Sequence, residues 1–105
     1  FNSMTLFDNV ALPLREHTDA DEEAIRLIVT IKLELVGLRF AADRLPSEVS
    51  GGMRKRAGVA RAMALDPRIV YYDEPSAGLD PVSVARLDDV IIRLNETTGV
   101  TTVVI

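Results

Sequence analysis

The chain has 105 residues, 48% of them hydrophobic and 27% charged, with 12 Lys and Arg against 16 Asp and Glu, a formal charge of -4 and no cysteine. That length carries one modest core and excludes a second. The absent cysteine excludes disulfides, a thiolate zinc site and a cysteine nucleophile, and the acidic balance gives no electrostatic footprint for nucleic acid. No apolar run reaches the roughly 18 residues of a membrane-spanning helix, and the N-terminus lacks the layout of a signal peptide. A cytoplasmic location is expected, with any membrane reached through a partner.

Phe1 starts without an initiator Met and the β-branched run Thr101–Ile105 stops without a turn, so the chain reads as a fragment of a longer protein. In the first half, Thr5 followed three residues later by Asp8 suits a short helix start that should end before Pro13. From Asp19 to Gly37, Ala24, Ile28, Ile31 and Leu35 recur at helical spacing. Asp19 and Glu22 are spaced as a capping box there, and Gly37 is a natural stop. A further helical piece around Ala41 to Leu45 should end at Pro46. Ser50 suits the cap of a helix with Met53, Ala57, Ala60 and Ala64 on one stripe and Arg54, Gly58 and Arg61 on another face, ending at Asp66-Pro67.

The continuous apolar run Ile69-Val70-Tyr71-Tyr72 predicts a strand covered on both faces. Asp80 and Pro81 supply the cap and first position of a last helix, with Val84, Leu87, Ile91 and Leu94 on one side and Gly99 closing it. Strand, helix and a strand at Thr101 to Ile105 make a βαβ unit, which requires parallel strands. The fold class is therefore α/β, a helical half followed by part of a parallel sheet.

Three segments carry chemistry. Tyr72-Asp73-Glu74-Pro75 ends the buried strand, where open α/β sheets bind ligands. Consecutive strand side chains point to opposite faces, so one acid is free to hold a metal while the other handles a proton. Pro75 has no N–H, so the ladder should stop where the acids begin. An acidic turn on a solvated rim is the alternative. Ser50-Gly51-Gly52 opens a helix whose unpaired first-turn N–H groups and dipole suit an anion, against an ordinary capped helix after a glycine-rich turn. Ser76-Ala77-Gly78-Leu79-Asp80 is a tight loop in which Gly78 permits positive φ, and a purely structural turn is equally consistent with it. His17 reads as solvated, Arg54, Lys55, Arg56 and Arg61 as a basic helix face, and Tyr71 and Tyr72 as strand packing.

Taken in order, Glu48 to Met53, Arg56, Ala60-Arg61-Ala62, Ala64 to Pro67, Ile69 to Pro75 and Gly78 to Pro81 resemble the carboxyl-terminal half of an ABC-type ATPase domain. The likeness spans Leu45 to Ile105, with residues 1 to 44 fitting that family's helical subdomain. Leu6 to Val10 look like its stretch after the Q-loop. Met53 together with Pro75 to Pro81 looks most like the Mla or toluene-tolerance branch, whose members drive phospholipid transport at the inner membrane of Gram-negative bacteria.

The resemblance implies a fragment of a P-loop NTPase. Residues 1–66 would be the signature-containing helical subdomain, and residues 67–105 part of the RecA-like core with Walker B and the D-loop. It implies ATP and Mg²⁺ as cofactors, a second ATPase subunit and an integral membrane permease as partners, and a cytoplasmic, peripheral place on the inner membrane. Ser50, Gly51 and Gly52 would touch the γ-phosphate of ATP on the other subunit, with Val49 and Met53 departing from the usual Leu and Gln. Asp73 would hold Mg²⁺ through water, Glu74 would act as general base, and Asp80 would lie at the dimer interface. No G-x-x-x-x-G-K-[ST] string occurs in the 105 residues, so this chain alone is expected to be inactive, and the strand at Thr101 to Ile105 to pair its bare edge with another copy or lose order. Two other readings compete. A chromosome-maintenance or repair ATPase needs a long coiled coil, which Asn9 to Gly37 is too short to supply; a non-catalytic docking module needs only the surface.

Overall fold

The computed structural model describes residues 3–105; Phe1, on which part of the fragment reading rests, lies outside them. Four helices and two strands follow one another as α1 (Leu6–His17), α2 (Glu22–Leu35), α3 (Gly51–Ala62), β1 (Ile69–Tyr72), α4 (Pro81–Thr98) and β2 (Thr101–Val104), with short 3-10 turns at Arg39–Ala41 and Pro46–Glu48. One apolar cluster draws on the four helices and β1, from Leu6 to Val100 just before β2.

The Thr5 hydroxyl accepts the Asp8 N–H at 3.1 Å, as its spacing predicts. The helix does not end before Pro13, however, but passes through it. A helix-interior proline costs about 3 kcal/mol. Leu6, Val10, Ala11 and Leu14 are all buried on one face of α1, and each large apolar side chain removed from water contributes about 1.5–3 kcal/mol, which is enough to carry the helix past the break.

The cap of α2 is Asp21 rather than Asp19; its Oδ1 accepts the Ala24 N–H at 2.8 Å. The expected stripe is also displaced. Ile25, Val29 and Leu33 are buried, whereas Ile31 is exposed and Ala24, Ile28 and Leu35 are half-buried. The helix bears two apolar stripes of helical period, and packing against α1 and α3 selects between them. Arg15 ties the first two helices together, donating from Nε and Nη2 to both Glu22 carboxylate oxygens at 3.1 Å and from Nη1 to Asp8 at 3.2 Å. Gly37, at φ +74°, reverses the chain, and the N–H of fully buried Leu38 returns to the Leu33 carbonyl at 2.8 Å.

Ala41 to Leu45 is not the helix its composition suggests. The carbonyls of Ala42 and Arg44 accept the N–H groups of Phe7 and Leu6, both at 2.9 Å, so they serve the start of α1 instead of a local helix. Pro46 then opens a turn rather than closing one, since proline lacks only the N–H that a first helical position leaves unpaired.

The strands pair in parallel with Ile69 opposite Thr101 and Tyr72 opposite Val104. Coverage on both faces is not found: Val70 is buried, but Ile69 is exposed and Tyr71 is 68% exposed. Among the described residues the sheet has two strands, with α4 as the crossover, so one face and the outer edges stay bare. The strand at Thr101 nevertheless forms, held by Thr101 N–H on the Arg68 carbonyl at 2.9 Å.

Candidate functional site

The ladder continues one residue further than Pro75 led us to expect. Ile105 donates to the Tyr72 carbonyl at 2.9 Å, and Glu74 donates back to the Ile105 carbonyl at 2.8 Å. Two exposed acids, Asp73 and Glu74, are thus carried on a backbone pinned to the neighbouring strand. Glu74 has φ +42°, a conformation that costs a non-glycine residue roughly 1–2 kcal/mol and ends strand alternation at this point. The Glu74 carbonyl accepts the Ala77 N–H at 3.0 Å and that of Ser76 the Leu79 N–H at 3.1 Å, and Gly78 at φ +78° completes the loop. Tyr72, half-buried beneath the acids, has its phenol pushed up by burial and stays neutral at physiological pH.

Asp80 caps α4, its Oδ2 accepting the Ser83 N–H at 3.4 Å. The Ser83 side chain is the chief reason its carboxyl is pulled below the ordinary aspartate range, and the backbone N–H of the same residue adds to it. Ser50 caps α3 in the same way, its Oγ accepting the Met53 N–H at 3.1 Å. The two helix starts lie against each other. A Cβ on Gly51 would stand 3.5 Å from Leu79 Cδ2, and one on Gly52 would stand 3.1 Å from Ser83 Oγ and 3.2 Å from its Cβ. Gly52 is therefore the residue that lets the Ser50 helix approach the first turn of α4. Ser83 was not singled out from the sequence; its place in the first turn of a capped helix was the available signal.

The basic cluster is not one solvated face. Arg54 Nη1 donates to the carbonyls of Pro46 at 3.1 Å and Val49 at 2.7 Å, fixing the turn that leads into Ser50. Arg56 is only 9% exposed and donates from Nη1 to the Val36 carbonyl at 3.0 Å, a hydrogen bond to the residue that ends α2. His17 is exposed beside Glu16.

Among the described residues no three His, Cys, Asp or Glu side chains gather as a metal cage. Asp73 still offers a hard, exposed oxygen donor next to a second carboxylate. That donor set suits Mg²⁺, which keeps several waters and takes one or two carboxylates plus phosphate oxygens, and suits no ion that needs a closed protein site. Neither acid lines the four cavities that lie along the helices and the turn after α2.

No described helix is long and apolar enough to cross a membrane. A family model described as ABC transporter matches residues 1–77. The intermembrane phospholipid transport system ATP-binding protein MlaF of Haemophilus influenzae is 52% identical over 105 residues, covering 100% of this chain and 40% of its own length. The probable ribonucleotide transport ATP-binding protein mkl of Mycobacterium leprae is 57% identical over 95 residues, covering 90% of this chain and 27% of its own. Among solved structures, cbiO1 from Clostridium perfringens, part of the ABC transporter complex cbiONQ, superposes with a TM-score of 0.88 at 25% identity over 97% of this chain and 40% of its own. The chain thus spans well under half the length of the relatives it matches. With the helical half, the βαβ half and the family model in agreement, the chain belongs to the ABC transporter family.

Proposed function

We propose that this chain is the signature and Walker B portion of an ATP-binding subunit that hydrolyses ATP to drive transport. Residues 1–66 form the helical subdomain in this reading and residues 67–105 the part of the catalytic core. The observation that carries it is the acid pair at the carboxyl end of a parallel strand, its backbone fixed by Ile105. Asp73 would hold Mg²⁺ through water. Mg²⁺, when bound, neutralises charge on the phosphate oxygens. Glu74, one residue on and turned by its positive φ, would accept a proton from the attacking water as general base. The α3 N-terminus, Ser50 with the unpaired N–H groups of Gly51 and Gly52, would stabilise the γ-phosphate held by a second copy. Asp80, on the loop that packs against those glycines, would lie at the interface between copies. The phosphate cradle would come from another segment of the intact protein.

Phospholipid is the proposed cargo class, supported by Met53 and the Pro75–Pro81 loop and by the relatives named for intermembrane phospholipid transport. Coupling to an integral membrane permease would place the subunit on the cytoplasmic face of the inner membrane. Glu74→Gln in the intact protein tests the enzyme reading. Nucleotide should still bind while turnover falls by roughly 100-fold or more, as for loss of a general base; unchanged turnover removes Glu74 from that role.

A further inference from the structure

Behind the Ser50 helix lies a cleft of about 220 Å³ between the end of α2, the middle of α3 and the face of α4. Its walls carry Arg56, Arg86 and Arg93 together with Glu34 and Asp89. The register of the two helices explains how the arginines meet. Gly52 packs on Ser83, Arg56 stands one turn beyond Gly52, and Arg86 and Arg93 stand about one and three turns beyond Ser83, seven residues apart on one side of α4.

The charges in this cleft do not cancel. Glu34 is drawn off to Arg39, with Nη1 at 3.8 Å. Among the described residues neither Arg86 nor Arg93 forms an ion pair, and Asp89 meets no cation within bridging distance. Arg56 is more than nine-tenths buried and spends one N–H on the Val36 carbonyl. Its guanidinium is held below its usual basicity, first by burial and then by the Arg86 charge, with no carboxylate offsetting either. A desolvated guanidinium with another guanidinium as its felt neighbour lacks a counter-charge, and oxyanions are the ligands that guanidinium forks match.

We propose that this cleft binds a phosphate-type oxyanion between Arg56, Arg86 and Arg93, at a site separate from Ser50, Gly51, Gly52, Asp73 and Glu74. A phosphate seated there would lie one helical turn behind the signature glycines, on the same α3–α4 seam that positions them. The site is argued independently of the ATPase reading and stands or falls apart from it.

The test is calorimetric titration of the chain at constant ionic strength, with inorganic phosphate and with monomeric dihexanoyl phosphatidic acid as separate probes. Saturable binding of at least one is expected, free phosphate alone identifying a soluble source and phosphatidic acid alone a lipid headgroup. Arg86→Gln and Arg93→Gln, both at exposed positions, should each weaken it roughly tenfold, and Asp89→Asn should tighten it, because each changes one charge facing the anion. No saturable binding of either probe would overturn the proposal. Binding that survives unchanged in both arginine variants would place the anion elsewhere, at the α3 N-terminus for instance, and would overturn it equally.

Discussion

Gly52 and Gly58 sit in the same helix and face opposite circumstances. A Cβ on Gly58 meets nothing within 4 Å, whereas one on Gly52 presses on Ser83. Gly58→Ala should therefore stabilise the chain by about 1 kcal/mol, the ordinary helix-propensity gain, and Gly52→Ala should gain less or lose, with thermal unfolding of the two variants as the check. Equal gains would remove the α3–α4 contact from the account. Lys32 poses a different question at this scale. Its side chain is 8% exposed and its ammonium reaches the carboxylate of Asp66, whose side chain is 74% exposed. Removing the buried charge leaves a solvated acid behind; removing the acid strands a buried cation. Asp66→Asn should thus cost more than Lys32→Met, the former by about 1–3 kcal/mol, and chemical denaturation of both variants decides it. Sequence patterns found neither Lys32 nor Arg56 as a core residue, because burial of a cation depends on a partner twenty or more positions away.

Helix starts were the most legible elements. Thr5, Ser50 and Asp80 all cap where their side chains and the following residues indicate. The reason is local: a cap closes a bond over three residues, so the sequence window contains the whole interaction. Pro13, the displaced stripe of α2 and the 3-10 turns at Arg39 and Pro46 were not legible, since distant packing and the hydrogen bonds of α1 decide them. The Asp80 cap carries a pH signature. Its folded carboxyl is more acidic than an unfolded aspartate, chiefly through the Ser83 side chain and further through the capping N–H. It therefore contributes stability that is fully present above the unfolded value of about 4 and lost as pH falls through the lower folded value. Asp80→Asn keeps a capping oxygen but does not titrate, so its melting temperature should fall less than that of the parent between neutral and strongly acidic pH. Parallel acid profiles would contradict the cap's electrostatic share.

For the molecule as a whole, the α/β class and the order of its motifs were readable from the chain, and the acid pair stands at the strand end where they placed it. The exposure of the strand was not, because whether an apolar run is covered depends on what packs over the sheet and not on the run itself. Tyr71 shows this directly: an apolar run reads as buried, yet its ring faces outward with nothing over it. The central claim is that one copy brings Asp73 and Glu74 to a nucleotide while a second copy brings Ser50, Gly51 and Gly52. Mixing separately inactive Glu74→Gln and Ser50→Arg forms of the intact protein tests it. In a two-fold dimer whose sites are shared between copies, half the mixed population carries one wholly intact site, so ATP turnover should recover to about a quarter of the unmutated rate. A mixture as inactive as its components would contradict a site assembled from two chains.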